Sequence, residues 1–291
     1  MANQSILRAA GVVFTRFTLF VFVLSVFEGQ MISAQSRVPF EKSNGMAVVP
    51  VLINGQGPFR FVLDTGSSAC LIDESLAQEL KLQSSSKTRM MSAAGISEVP
   101  VYGLGNLKLG GVEALNVHAV SVPRNSEVLT SRKARGFLGL SFLARFNFLL
   151  NYKDQSITFE PEVTEASASE AVYSVDRSQG VYVVLVPVGK EFARFVLDSG
   201  ADDIMLFNTT HFPYVRAIST SVVRTAFGER HVIRAEISGL RIGKRTLNKE
   251  KVTILTGQGP EGCDGLLPAK MFSSLYFDNR GDRLMVNPES R

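Results

Sequence analysis

Two short segments of the chain place an aspartate in the same local setting. Asp64 lies within residues 61–68, FVLDTGSS, and Asp198 lies within residues 195–202, FVLDSGAD. Each aspartate follows an apolar run and precedes a hydroxyl residue and a glycine. Two carboxylates that meet in one site cannot both ionise easily, so they share a proton and divide the roles of acid and base. The repeat therefore predicts general acid–base chemistry if the two segments come together.

Either segment taken alone also fits a simple turn, because an aspartate caps its own backbone and a glycine permits the bend. Two copies in matching surroundings favour a catalytic pair made of Asp64 and Asp198 over two unrelated turns. We interpret Gly66 and Gly200 as the residues that allow the tight turn after each strand, since glycine adopts φ values that other residues avoid.

The elements around each aspartate also repeat. Residues 46–53 and 59–63 predict a β-hairpin that ends just before Asp64, and residues 181–188 and 192–197 predict the equivalent hairpin before Asp198. Further matching segments follow in the same order in both halves: residues 92–95 and 225–228, glycine-containing hairpin regions at 103–110 and 239–243, residues 136–140 and 265–269, short helices at 141–146 and 268–273, and closing hairpins at 148–159 and 275–286. The chain therefore resembles a duplicated β-lobe.

An acidic, small and polar stretch, residues 160–170, separates the two strand-rich halves. It lacks apolar periodicity and is typical of a linker. We therefore predict an N-terminal lobe over residues 35–159 and a C-terminal lobe over residues 171–291. Each half is of a size that can form its own core.

The N-terminus has the pattern of a secretory signal. Arg8 and Arg16 precede an apolar, uncharged run over residues 17–27, and the small residues around Ala34 offer a cleavage site. The run is shorter than the roughly 20 residues that a membrane-spanning helix needs. We predict a signal peptide over residues 1–34 and export to the periplasm or the exterior. The alternative is an uncleaved membrane anchor, because a weaker apolar stretch precedes Arg16.

Composition argues against several other classes of protein. An apolar fraction of 45% and a charged fraction of 20% indicate a folded chain, and a net charge of +4 without a long basic run gives no support to nucleic-acid binding. The histidines are widely spaced, which argues against a metal site, and the chain has no phosphate loop and no clear dinucleotide loop, so we predict neither a metal nor a cofactor. Cys70 and Cys263 lie in different halves, and we favour two buried thiols over the disulfide that export would permit.

The repeated segments resemble the signature of the aspartic peptidases, both pepsin-like and retropepsin-like. In that signature an apolar run and Asp-Thr/Ser-Gly are followed later by two apolar residues and a glycine. The first copy pairs Asp64-Thr65-Gly66 with Phe137-Leu138-Gly139, and the second pairs Asp198-Ser199-Gly200 with Leu266-Leu267-Pro268. The resemblance implies an all-β fold of two homologous retropepsin-like β-barrel lobes with a central cleft and few short helices.

The resemblance also implies roles for individual residues. Asp64 and Asp198 would form the catalytic dyad of a monomeric endopeptidase that hydrolyses peptide or protein substrates with an activated water. Thr65 and Ser199 would hydrogen-bond across the lobes, and Gly66 and Gly200 would bring backbone close to the dyad. Ser67 would be a polar neighbour of Asp64. On the substrate side, Asp202 would pair with a charge or contact substrate, and Gly95 and Gly228 would lie in the flaps.

Three features depart from the family pattern. Pro268 stands where a glycine is expected, neither flap tip carries a tyrosine (Tyr102 lies downstream), and no long pro-segment is evident between Gln35 and Val48. They favour, as the alternative, a peptide-binding protein that uses the same fold without hydrolysis. A homodimer with sites between chains is a third possibility, although both half-sites are present in one chain.

Overall fold

A computed structural model describes residues 36–124, 126–163, 169–255 and 259–287. The fold is all-β, with a few short helices, as predicted. The predicted signal peptide lies outside the described residues, as do residues 164–168 of the predicted linker. Within the described residues, no helix combines the length and the apolar character needed to cross a bilayer.

The described residues of the first half form eleven strands and three short helices. In chain order they are β1 (Ser36–Pro39), β2 (Glu41–Ser43), β3 (Met46–Ile53), β4 (Gln56–Leu63), β5 (Cys70–Asp73), α1 (Glu74–Glu79), β6 (Ser84–Ser92), β7 (Gly95–Leu109), β8 (Val112–Val122), α2 (Glu127–Thr130), β9 (Gly136–Leu138), α3 (Leu140–Leu143), β10 (Phe148–Asn151) and β11 (Ser156–Phe159).

Six of these strands close into a barrel in the order β3, β4, β9, β5, β8 and β7, and β7 pairs again with β3. The hairpin that ends at Asp64 turns at Asn54 and Gly55, whose φ angles of 50° and 76° suit the Asn-Gly turn that links twisted strands. The predicted strand over residues 46–53 is confirmed, and its partner begins earlier than predicted, at Gln56. Alternating buried side chains of these strands fill the lobe core.

In the second half, the residues that the structure describes form ten strands and one short 3-10 helix (Ala269–Met271). The strands are β12 (Ala171–Asp176), β13 (Val183–Val188), β14 (Glu191–Asp198), β15 (Ile204–Leu206), β16 (Tyr214–Thr225), β17 (Gly228–Ile242), β18 (Arg245–Ile254), β19 (Gly265–Pro268), β20 (Ser274–Asp278) and β21 (Arg283–Val286).

A second barrel closes in the equivalent order β13, β14, β19, β15, β18 and β17, and β17 pairs with β13. Each strand of the first barrel therefore has a counterpart, with β4 matching β14 and β9 matching β19. The prediction of two homologous barrel lobes is confirmed by this shared topology. The boundaries proposed for the domains stay a prediction.

A six-stranded antiparallel sheet joins the lobes, in the order β1, β11, β10, β20, β21 and β12. Its centre is the pairing of β10 with β20, where Phe148 lies opposite Phe277 and the two rings stack with centroids 4.4 Å apart. The two predicted closing hairpins are therefore present, and together they form a single sheet from both halves. This sheet connects the two lobes to each other through the backbone pairing of β10 with β20.

The short elements differ from the sequence predictions in detail. Both predicted helices are shorter than expected, over Leu140–Leu143 and Ala269–Met271. Gly103 and Gly105 lie inside β7 rather than in a turn, because buried Tyr102 and Leu104 alternate with them as a strand requires. The turn itself falls at Gly110, whose φ is 58°. Cys70 and Cys263 are both free and buried, as favoured from the sequence.

Candidate active site

The two aspartate loops start at equivalent places in the two barrels. Asp64 directly follows β4, and its N–H donates to the Leu138 carbonyl of β9 over 3.1 Å. Asp198 ends β14 and lies in register with Pro268 of β19. In each lobe the strand that leads into the aspartate has a parallel neighbour, β9 beside β4 and β19 beside β14. The structure thus brings the two predicted aspartates together between the lobes.

Thr65 and Ser199 connect the two loops through four hydrogen bonds. The Thr65 N–H donates to Ser199 Oγ over 3.0 Å, and the Ser199 N–H donates to Thr65 Oγ1 over 3.0 Å. The Thr65 hydroxyl donates to the Leu197 carbonyl over 2.8 Å, and the Ser199 hydroxyl donates to the Leu63 carbonyl over 2.9 Å. Both side chains are buried, so these bonds fix the loops without competition from water.

Gly66 and Gly200 leave room for the aspartate of the opposite loop, which lies close to each of them. Each donates its N–H to the aspartate of its own loop, over 3.0 Å to Asp64 Oδ1 and over 2.7 Å to Asp198 Oδ1. A Cβ on Gly66 would overlap the Asp198 carboxyl group, and a Cβ on Gly200 would lie 3.0 Å from Asp64 Cγ. Neither glycine has a positive φ. The prediction that these glycines supply φ values that other residues avoid is therefore wrong. Glycine is needed at both positions because a side chain would collide with the aspartate of the other loop.

The two carboxyl groups perturb each other's protonation. Burial raises the pKa of Asp64 well above its ordinary value, and the charge of Asp198 and a hydrogen bond with it raise the pKa further. Burial also raises the pKa of Asp198, while hydrogen bonds from the Gly200 N–H and from Asp64 lower it. The pKa of both carboxyl groups is therefore raised, and the pair titrates as one unit that holds a shared proton.

Ser67 acts on Asp64 through its backbone. Its N–H is one of the donors that lower the pKa of Asp64, together with the Gly66 N–H. Its hydroxyl donates instead to the Ala69 carbonyl over 2.8 Å, and its carbonyl accepts the Leu140 N–H over 2.9 Å. The serine thus shapes the loop and ties it to the start of α3.

Asp202 makes ion pairs at the edge of the site. Its Oδ1 accepts from Lys270 Nζ over 2.6 Å, and its Oδ2 lies 3.7 Å from Arg132 Nη2 of the other lobe. Arg132 is buried and also donates to the Asn44 carbonyl over 2.9 Å. The sequence analysis did not find Arg132, because no local motif surrounds it and its contact with Asp202 depends on the packing of the lobes.

Pro268 does not displace the Asp198 loop. It continues β19 with φ −63° and ψ 124°, and it stays in register with Asp198. Asp198 still receives the backbone N–H groups of Gly200 and Ala201. In the first lobe the equivalent Gly139 is tightly enclosed, since a Cβ there would overlap the Ala69 carbonyl. The two copies thus reach similar aspartate geometry by different packing.

A cleft of about 1350 Å³ lies between the lobes and contains both aspartates. The flap of each lobe borders it: β6 with β7 on one side, and β16 with β17 on the other. Gly95 and Gly228 close the two flap turns with φ angles of 125° and 139°, which few other residues adopt. The flap tips meet, since Arg230 Nη1 donates to the Ala94 carbonyl over 3.5 Å.

The described residues contain no group of His, Cys, Asp and Glu side chains that could hold a metal ion. His211 instead lies 2.8 Å from Glu191 Oε2 and 3.5 Å from Asp264 Oδ1, in a local cluster of ionisable groups. Paired carboxylates at the floor of a cleft, with backbone donors on each, are thus the chemistry that this site presents.

Residues 49–142 match the family model described as "Aspartyl protease". The search of solved structures returned a retropepsin-like aspartic protease from Rickettsia conorii, with 18% identity over 43% of this chain and 89% of that chain and a TM-score of 0.32. It also returned an aspartic proteinase from Irpex lacteus, with 12% identity over 88% of this chain and 98% of that chain and a TM-score of 0.49. No curated protein matches the sequence.

The family match supports an aspartic peptidase family for the chain, which is the family that the duplicated Asp-Thr/Ser-Gly segments predict. The matched residues contain the first aspartate loop and its partner segment around Gly139. Family and fold together support a peptidase function and, with it, peptide or protein substrates.

Proposed function

We propose that this protein is an exported aspartic endopeptidase that hydrolyses peptide bonds with the Asp64 and Asp198 carboxyl groups and a water molecule. The main support is the geometry of the paired loops, in which the partly buried Asp64 and the buried Asp198 interact directly and the Thr65 and Ser199 bonds hold them together. A plain pair of turns needs neither the mutual contact nor the raised pKa of Asp64.

The shared proton divides the first roles between the two aspartates. The charged carboxylate of the pair takes a proton from the water as it attacks the peptide carbonyl carbon, and the protonated partner donates toward the carbonyl oxygen. When the tetrahedral intermediate collapses, the carboxyl group that took the water proton passes it to the leaving amine, the other carboxylate regains its proton from a gem-diol hydroxyl, and the C–N bond breaks. Proton gain and loss balance, so the cycle needs no metal and no covalent enzyme intermediate.

The flaps indicate how substrate binds. β6 and β16 are terminal strands of their sheets, and residues of both line the cleft. A free strand edge offers N–H and C=O groups to an extended peptide, which adds to the sheet as a further strand. We therefore propose that substrates bind in an extended, unfolded form between the two flaps.

Substitution of the two aspartates tests the mechanism. We expect Asp64→Asn and Asp198→Asn each to lower kcat/KM for an unfolded protein substrate at least about 100-fold, because each removes a proton donor or acceptor. Asp154→Asn is the matched control, since Asp154 is exposed on the hairpin between β10 and β11. Cleavage at the parental rate by both dyad variants would disprove the mechanism.

The alternative of a peptide-binding protein rests on the departures at Pro268 and the flap tips. It predicts that the parent binds extended peptides as tightly as the Asp64→Asn variant and cleaves none of them at acidic or neutral pH. Cleavage that a statine-type inhibitor abolishes would exclude it.

We also propose export of the protein with removal of residues 1–34, or retention on the membrane if this segment stays uncleaved. The support is the charged and apolar pattern before Ala34. The intact mass of the protein recovered outside the cytoplasm distinguishes the two outcomes, because cleavage removes the whole segment.

A further inference from the structure

The tip of the C-terminal flap packs on the opposite lobe. The tip is the turn at Ala226 and Phe227, between β16 and β17. Both side chains pack against a cluster of apolar residues that belongs to the N-terminal lobe. The cluster members that also line the cleft form what we call the N-terminal apolar site: Met46, Leu71, Val120, Val128 and Phe137.

Polar contacts hold the tip in this position. Arg224 Nε lies 2.8 Å from Glu127 Oε2 at the start of α2, and the same atom lies 2.8 Å from Glu229 Oε1 of its own flap. Arg230 Nη1 donates to the Ala94 carbonyl of the other flap. Arg224 and Glu127 are both more than half exposed, so their pair is weak and reversible.

The N-terminal apolar site adjoins the Asp64 loop. Phe137 of β9 pairs with Val62 of β4 on one side and with Leu71 of β5 on the other. The next pair along β4 and β9, Leu63 with Leu138, directly precedes Asp64. A peptide in extended conformation directs successive side chains to opposite sides. A peptide bond at the dyad would therefore place a neighbouring side chain in reach of this site, where burial of a large apolar group is favourable.

We propose that Phe227 occupies, in the free enzyme, the subsite that receives a large apolar side chain of the substrate. The phenyl ring lies in the cleft and is half-buried against that site. Substrate must displace Phe227 together with the C-terminal flap, so the enzyme carries its own weak competitor. This inference rests on the proposed function, because it names the substrate side chain and the regulation of the same cleft.

The two flaps are unequal in this respect. The N-terminal tip, Ala93 and Ala94, has only methyl side chains, and the nearest large residues, Met91 and Ile96, are 47% and 55% exposed. Only the C-terminal tip carries an aromatic ring into the opposite lobe. The competitor therefore acts at the N-terminal apolar site, and we expect selectivity for aromatic or large aliphatic side chains to be set there.

A tryptophan reporter tests the displacement directly. The chain contains no tryptophan, so Phe227→Trp in the Asp64→Asn background gives a single reporter without turnover. We expect blue-shifted emission in the free protein and a red shift when a peptide with a central phenylalanine saturates the cleft, as judged by calorimetry. Phe192→Trp is the control, because Phe192 is 59% exposed in the C-terminal lobe. A reporter whose emission is unchanged at saturation would overturn the proposal.

Kinetics of the active enzyme give the second test. We expect Phe227→Ala to lower KM for substrates with an aromatic residue at least about threefold, since no bound ring has to be displaced. Arg224→Gln should lower KM about 1.5- to 5-fold by weakening the contact with Glu127. Ile96→Ala on the N-terminal flap is the matched control for Phe227→Ala, since it also removes a large apolar side chain. Arg216→Gln on β16 is the matched control for Arg224→Gln, since it also removes an arginine. An unchanged or higher KM for Phe227→Ala would overturn the proposal.

The two tests separate this inference from the proposed function. If the parent cleaves peptides and the reporter does not respond, only the inference fails. If the reporter responds and the parent cleaves nothing under any condition, the endopeptidase proposal fails and the self-occupied subsite is retained in a peptide-binding protein.

Discussion

At the scale of single residues, the shared proton links the site to the stability of the whole protein. The folded state holds a proton on Asp64 more tightly than the unfolded chain does, because the pKa of Asp64 is raised by burial and by Asp198. A carboxyl group with a raised pKa favours folding below its unfolded pKa, and this contribution is lost as the pH rises through the folded pKa.

We therefore expect the variant with both Asp64→Asn and Asp198→Asn to become more stable relative to the parent as the pH rises from about 4 to about 7. Chemical unfolding of the two proteins at several pH values measures this difference. Asp176→Asn provides a control of opposite sign at lower pH: hydrogen bonds from Ser178 and Arg194 lower the pKa of Asp176 to about 2, so this variant should lose stability relative to the parent as the pH rises from about 2 to about 4 and change little above that. A difference between the dyad variant and the parent that does not change with pH would refute the prediction.

The chemical residues were predictable because their signals are local. An apolar run, an aspartate, a hydroxyl and a glycine lie within a few positions, and the same order occurs twice. The close approach at Gly66 followed from the family resemblance and not from its local sequence, because its neighbour is the Asp198 carboxyl group on the other loop. Arg132, Arg224 and Phe227 were also missed, since each acts through a contact with the opposite lobe.

At the scale of elements, the two aspartate loops form one unit because of Thr65 and Ser199. The Thr65 hydroxyl accepts the Ser199 N–H and donates to the Leu197 carbonyl, and all three groups are buried. Removal of a hydroxyl from such an arrangement leaves a donor and an acceptor without partners and away from water.

We expect Thr65→Val, which keeps the shape but not the hydroxyl, to lower the free energy of unfolding by about 2–4 kcal/mol. Thr65→Ser keeps the hydroxyl and reproduces the residue found at the equivalent position of the other loop, so we expect it to cost only about 1 kcal/mol. Urea unfolding compares the variants. Equal losses for valine and serine would show that the hydroxyl does not connect the loops.

Hairpins and their order were predictable from the sequence, because strands and turns leave periodic and local signals. Barrel closure was not, since β7 returns to β3 and β17 returns to β13 across long stretches of chain. The register of these closing pairs sets the cleft and the flap positions. The family resemblance supplied what periodicity could not, namely that the two β-lobes are barrels facing a common cleft.

At the scale of the whole molecule, one chain supplies both halves of the site and the sheet that joins them. The joining sheet takes strands from the two ends of each half, and its central pair, β10 and β20, comes from different lobes. A homodimer that built its site between chains would have to form this sheet from separate molecules at a concentration-dependent cost. Within one chain the same contacts form without that cost.

We therefore expect the protein to be a monomer whose specific activity does not change on dilution. Native mass spectrometry should give one copy of the chain, and the same spectrum reports whether residues 1–34 have been removed. Activity per molecule should stay constant from micromolar to low nanomolar enzyme, because no subunit interface dissociates. A retropepsin-like dimer would instead lose activity at enzyme concentrations below its dissociation constant. That result would place the dyad between two chains and contradict the pairing of Asp64 with Asp198 of the same chain.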